Sequence, residues 1–365
     1  MTADIIDYEN LGKLNQPFFE LYREEFDKVM QWGWYVLGSS VQKFEEEFAQ
    51  YCTTKYCVGV ANGLDALTIA LSCWRFIPGD EVLVPSNTYI ATILAIIHNN
   101  LKPILVEPDI VTYNIDPTKI EEKITSKTRA IIPVHLYGKL CDMDPINTLA
   151  KQYNLTVIED CAQAHGAAYK GKKAGAFGDF WAFSFYPTKN LGALWDAGAL
   201  TCQDNNLKDQ ISMFRNYGSK IKYYNEVVWY NSRLDELQAA FLSIKLKRLD
   251  IINEHKRSLA KIYLGLLKDN FIKPSIHADY HDVYHIFTIR HHKRDELREY
   301  LLQHNVKTEI HYPVAPNKQK AMRWILDDQL TPIAEEIHRT TLSLPISYCH
   351  TKDDIYRVIE IMNKF

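Results

Sequence analysis

Val157-Ile158-Glu159-Asp160-Cys161-Ala162-Gln163-Ala164-His165-Gly166 is a short apolar run that ends on carboxylates and then turns through polar residues into glycine. A buried strand finishing at Asp160 points to an open α/β sheet, because ligands gather at the carboxyl ends of parallel strands. An aspartate buried there needs a cation or hydrogen-bond donors. Helix capping would account for Asp160, but not for the Gln163 and His165 that follow it. Outward from this segment, apolar runs at Cys57–Val60, Glu81–Pro85, Pro103–Val106, Ala130–Val134, Thr156–Ile158 and Phe180–Phe185 alternate with helical patterns. The alternation predicts a mostly parallel sheet covered on both faces.

Two other strand ends carry chemistry. Val58-Gly59-Val60-Ala61-Asn62-Gly63-Leu64-Asp65-Ala66-Leu67 turns through glycine into a helix and would offer free backbone N–H groups to an anion, without a Walker pattern. Phe180-Trp181-Ala182-Phe183-Ser184-Phe185-Tyr186-Pro187-Thr188-Lys189-Asn190-Leu191-Gly192 is a strand of alternating aromatics ending in a lysine on a turn. Taken singly, a turn glycine and a loop lysine are ordinary. Phosphate loop, aspartate and lysine in this order are nevertheless the three anchors that pyridoxal phosphate requires. The amine bonds to the cofactor aldehyde, and the carboxylate keeps the pyridine nitrogen protonated so that the ring accepts electrons.

Composition bounds the alternatives. A chain of 365 residues with 47% apolar content can bury a core large enough for two domains. The 42 basic and 45 acidic residues nearly cancel, which leaves no broad field for nucleic acid or an anionic membrane. Seven cysteines, an odd number with no Cys-x-x-Cys pair, read as reduced thiols and give a cytoplasmic expectation. Met1-Thr2-Ala3-Asp4 lacks the basic-then-apolar start of a signal peptide, and the apolar stretch around Tyr89–Ile97 is too short to span a bilayer. His285, His291 and His292 lack ligand partners at suitable spacing, so they read as packing or surface histidines and no metal is expected.

Amphipathic segments at Phe18–Gln31 and Val41–Cys52 precede the sheet, and helical periodicity runs from Arg233 to about Leu267. Val283–Ile289 and Lys307–Ile310 then read as strands of a smaller α/β region. The division expected is 1–245 for the N-terminal helices with the large domain, and 246–365 for a small C-terminal domain.

At these residues the chain resembles the sugar aminotransferases of the DegT/DnrJ/EryC1/StrS family, within the aspartate-aminotransferase (fold type I) superfamily. The resemblance runs from about Trp34 to the C-terminus and rests on Trp34-Tyr35-Val36-Leu37-Gly38, Ser86-Asn87-Thr88-Tyr89-Ile90-Ala91-Thr92, Val134-His135-Leu136-Tyr137-Gly138, the aspartate and lysine segments, and Asn231-Ser232-Arg233-Leu234-Asp235-Glu236-Leu237-Gln238-Ala239-Ala240. It implies pyridoxal 5'-phosphate bound to Lys189, with Asp160 on the pyridine nitrogen, Gln163 beside the cofactor hydroxyl and Tyr89 stacked on the ring. Gly63 and Leu64, through their N–H groups, and Ser184 would hold the phosphate. Asn231 would reach it from a second subunit, which implies a homodimer with shared sites. Tyr186, His311 and Tyr312 would line the sugar end of the pocket.

Within the family, the Ala61–Leu67 and Asn87–Thr92 segments resemble enzymes that move an amino group from L-glutamate to C-3 of dTDP-linked 3-keto-6-deoxyhexoses, giving the 3-amino-3,6-dideoxy sugar of galacto or gluco configuration. A C-4 aminotransferase is the alternative. A sugar dehydratase of this family typically carries histidine at the lysine position, so Lys189 speaks against it, and a cofactor-binding sensor is less expected still. One departure stands out: Trp195-Asp196-Ala197-Gly198 puts an indole where the family usually has a small residue, which suggests that Trp195 borders the entrance for the nucleotide sugar.

Overall fold

The computed structural model describes residues 5–365, so the leader reading at Met1–Asp4 lies outside the described residues. Two helices, α1 (Phe19–Trp32) and α2 (Ser39–Cys52), lead into a seven-stranded sheet. Its strands are β1 (Tyr56–Val60), β2 (Glu81–Pro85), β3 (Lys102–Val106), β4 (Thr128–Ile131), β5 (Thr156–Asp160), β6 (Phe180–Ser184) and β7 (Gly198–Cys202). Their spatial order is β1-β7-β6-β5-β4-β2-β3, parallel from β3 to β6 and antiparallel where β7 pairs with β6 and β1. The expected apolar runs therefore coincide with strands to within a few residues, while β7 was not singled out.

Side-chain alternation splits the sheet into two cores. Leu83, Ile131, Val157, Trp181 and Phe183 face one side, where Phe44 and Phe48 of α2 pack edge-on against Phe183 and Phe185 at ring separations of 4.9–5.3 Å. Val82, Val84, Ala130, Ile158, Phe180 and Ala182 face the other. The helices α3 (Gly63–Ser72) and α4 (Ile90–His98) follow β1 and β2.

The periodicity from Arg233 resolves into two helices, α5 (Glu236–Leu246) and α6 (Leu249–Leu266). The carboxylate of Glu236 accepts the N–H groups of Gly38 (2.6 Å), Ser40 (2.9 Å) and Val41 (3.1 Å), so the first turn of α5 caps α2 from a distance. A further core forms around β8 (Phe287–Arg290) and its antiparallel partner β9 (Thr341–Leu344), with Leu259, Tyr263, Leu297 and Val358. Among the described residues, 307–310, expected as a strand, contribute the single bridge Glu309–Ser343, and Ile6 joins this same core through a bridge to Val306. Among the described residues no helix is long and apolar enough to cross a membrane.

Candidate active site

The register of the sheet assembles the site. Val60, Gly198 and Ser184 lie in one row across β1, β7 and β6. The row brings the turn after β1 over Ser184, and a Cβ on Gly63 would sit 2.6 Å from the Ser184 Cβ. Only glycine permits that approach. Asn62 caps α3 by accepting the N–H of Asp65 (2.8 Å), which leaves the N–H groups of Gly63 and Leu64 outside the capping bond. A helix N-terminus with a hydroxyl opposite is an anion seat.

Asp160 ends β5, nearly fully buried. Its carboxylate accepts from Thr92 Oγ1 (2.9 Å) and from the N–H of Ala162 (3.1 Å), and Thr92 is itself hydrogen-bonded to Thr88 (2.8 Å). Burial raises the Asp160 pKa, although those two hydrogen bonds and the Lys189 charge oppose the shift. Among the described residues Asp160 makes no ion pair within 4 Å. Glu159, pointing to the opposite face, serves the scaffold. It accepts from Trp181 Nε1, from the N–H groups of Phe177 (2.9 Å) and Gly178 (2.5 Å), and bonds His135 Nε2 at 2.8 Å. Because His135 Nδ1 accepts the Cys141 N–H (3.1 Å), its Nε2 carries the proton toward Glu159. Cys161 completes a trio whose ligand atoms lie within 4.8 Å of one another, but the Glu159 oxygens are already engaged by donors, and the trio is a structural anchor.

Lys189 sits on a turn closed by its own N–H to the Tyr186 carbonyl (2.8 Å). Burial lowers its pKa to about 8, against the raising pull of Asp160 and with a further lowering by Lys256. At pH 7 roughly one such amine in ten is uncharged, against about one in three thousand for an ordinary lysine, which supplies the neutral form that a nucleophile or proton acceptor needs.

These groups face one cleft of about 550 Å³. Gly63, Leu64, Tyr89, Asp160, Gln163 and Ser184 line it, as do Tyr186, Lys189, His311 and Tyr312. Gln163 donates to Tyr312 Oη (2.9 Å) and accepts the Tyr137 N–H (2.7 Å), while the rings of Tyr89 and Tyr312 stand 5.1 Å apart. His311 bonds Ser343 Oγ through Nδ1 (2.9 Å), and burial together with Lys189 lowers its pKa to about 4, so it is neutral. Asn231 is not part of this cleft: it is exposed, paired with Asn216 in an isolated bridge, with its amide on Tyr217 Oη (2.7 Å). Trp195 also lies elsewhere, in a hollow with Phe26, Met30 and Tyr35, while its neighbour Asp196 reaches the cleft wall.

Sequence reasoning overlooked two groups. Thr88 and Thr92 stand four residues apart at the start of α4, a spacing that could have been read as one face meeting Asp160. His285, read as a packing or surface histidine, lines the cleft with its Nδ1 unpartnered. Nothing local in its strand-like surroundings marks it.

A buried carboxylate without a cation, a lysine of lowered pKa and a glycine-lined anion seat facing one cleft describe a fold type I site, and residues 20–363 match the DegT/DnrJ/EryC1/StrS aminotransferase family. The chain belongs to that family. It is 52% identical over 363 residues, 99% of each chain, to a dTDP-3-amino-3,6-dideoxy-alpha-D-galactopyranose transaminase of Aneurinibacillus thermoaerophilus. The crystal structure of S. venezuelae DesV in complex with a ketimine intermediate superposes with a TM-score of 0.97 at 40% identity, covering 99% of this chain and 98% of that one. The structure of ntda from Bacillus subtilis with bound cofactor PMP gives 0.92 at 29% identity, covering 99% and 85%.

Proposed function

We propose that this family member transfers an amino group from L-glutamate to C-3 of a dTDP-linked 3-keto-6-deoxyhexose, with pyridoxal phosphate as cofactor and Lys189 as its attachment point. The observation that carries the cofactor reading is the pairing, across one cleft, of a buried Asp160 lacking a cation and a Lys189 amine that gives up its proton near pH 8. A protonated pyridine nitrogen supplies the missing cation, and the Gly63–Ser184 cradle, which a Cβ would fill, suits the phosphate. The choice of C-3 follows the galactopyranose transaminase, and glutamate is inferred from the family resemblance.

When bound, the cofactor supplies an electron sink for the carbanion formed at the reacting carbon. The chain's own residues do the rest. Asp160, held by Thr92 and the Ala162 N–H, would hold the ring nitrogen, Gln163 and Tyr89 would orient the ring, and the Lys189 amine would take up and return the proton of the substrate carbon. Neutral His311, with Tyr312 and Tyr186, meets sugar hydroxyls by hydrogen bonding, without a charge.

Among the described residues the cleft of one chain is lined by no arginine and no second lysine, which favours a second subunit supplying further contacts to phosphate and donor, Asn231 among them. The exposed apolar run Trp34-Tyr35-Val36 and the nearby Trp195, 60% exposed, suit such a dimer contact. The test is a two-step reaction: glutamate is added to bleach the visible cofactor band, then the dTDP-linked 3-keto or 4-keto sugar is offered. Recovery with the 3-keto sugar is expected. Recovery with the 4-keto sugar alone moves the chemistry to C-4, and a band unmoved by glutamate refutes transamination.

A further inference from the structure

Beneath the cleft, α6 carries two buried polar residues one turn apart on one face, Asn253 and Lys256. Asn253 Nδ2 donates to the His165 carbonyl (2.9 Å), at the end of the segment that begins with Asp160. Its Oδ1 accepts from Asn190 Nδ2 (2.8 Å), and Asn190, the residue after Lys189, also donates to the Val283 carbonyl (3.1 Å). Lys256 Nζ donates to Asn190 Oδ1 (3.1 Å) and to the His285 carbonyl (3.0 Å). One helical turn thus ties together the aspartate segment, the lysine turn and the wall that carries His285. Lys245, on α5, holds the other end of the same turn through the Gly192 carbonyl (2.8 Å).

A buried ammonium without a carboxylate on its hydrogen bonds is an expensive way to satisfy two acceptors, and apolar packing of the same volume is commonly no less stable. We propose that Lys256, which does not line the cleft, is a positioning residue that locks the Lys189 turn to the His285 wall and sets how readily the Lys189 amine is held as the free base. The inference rests on the reading of Lys189 as the reacting amine. Its electrostatic half follows from the charges around Lys189: Asp160 stabilises its proton, while Lys256 opposes it and the neighbouring His165, His285 and His311 are kept neutral. The surroundings of Lys256 itself are Glu9, Cys349, His350 and the lysine turn. Burial lowers the Lys256 pKa to about 8 as well, so at neutral pH Lys256 is still mostly charged, and a like charge held under the turn there favours the neutral Lys189 amine.

The test labels the full chain, with and without pyridoxamine phosphate, by trace acetylation across a pH series, and reads Lys189 against exposed Lys28 in the same digest. In the wild type, Lys189 should gain reactivity with a midpoint near pH 8. In Lys256→Met the midpoint should move up, cutting Lys189 labelling at neutral pH by at least about threefold relative to Lys28, while Lys256→Arg should keep the wild-type profile. A folded Lys256→Met protein with an unchanged Lys189 profile overturns the proposal, even if it melts earlier, because lost packing alone leaves that profile in place. Lys256→Gln, which keeps a donor but not the charge, carries the same measurement where the methionine variant does not fold. The labelling needs no turnover, so its failure is distinct from failure of the two-step amino-transfer test.

Discussion

Lys189 should weaken the protein that depends on it. Its pKa falls from the ordinary 10.5 to about 8, and at roughly 1.4 kcal/mol per pH unit the charged amine carries a penalty of about 3 kcal/mol at pH 7 in the cofactor-free chain. The folded amine holds its proton less tightly than the unfolded one, so the unfolded chain binds more protons between about pH 8 and 10.5 and stability rises with pH across that window. Below it the full penalty is present, and above it none remains. Lys189→Met conserves volume and removes the charge. The variant should therefore unfold at higher urea concentration than the wild type at pH 7, by up to about 3 kcal/mol, and lose most of that advantage near pH 10.5, while losing amino transfer altogether. Paired urea titrations at the two pH values measure the difference. A methionine variant less stable than the wild type at pH 7, or an advantage independent of pH, would refute the reasoning.

Two other substitutions separate chemistry from scaffold. Thr92→Val removes one of the two donors to Asp160, so kcat should drop about tenfold, the loss of one charge-assisted hydrogen bond, and pyridoxal phosphate should be retained less tightly in equilibrium dialysis. Unchanged values in both would reduce the threonine pair to packing. Glu236→Ala strands the N–H groups of Gly38, Ser40 and Val41, so the melting temperature should fall with a cost of about 3 kcal/mol while kcat per folded site stays put.

Much of this architecture was legible because strand burial writes itself as apolar runs. β2 begins and ends where Glu81–Pro85 predicts, Asp160 ends β5, and Lys189 lies on the turn that follows β6, where a sheet collects ligands. What escaped depends on neighbours distant in sequence. β7 is a short run of mostly small residues, Gly198-Ala199-Leu200-Thr201-Cys202, whose value lies in the Gly198 row with Val60 and Ser184, a register no local pattern encodes. The segment 307–310 has a strand's composition, yet among the described residues it meets the edge of β9 left free by β8 at Ser343 alone. The entrance expectation for Trp195 rests on an indole standing where the family usually has a small residue; one residue along the chain separates the Asp196 cleft wall from the hollow under α1 that holds Trp195. His285 lines the cleft on a segment whose His285 and Val283 carbonyls are bonded by Lys256 and Asn190, residues distant from it in sequence.

The bridge from Ile6 to Val306 has a consequence for how the chain is made. Ile6 emerges from the ribosome before its partner, which is synthesised 300 residues later, roughly 15–60 s at ordinary elongation rates. Through that interval the sheet can close around β1 to β7, while the opening segment trails without a surface to cover. Its docking is a final act of assembly, which makes accessibility at Ile6, read by brief proteolysis of stalled chains, a clock for completion of the C-terminal core.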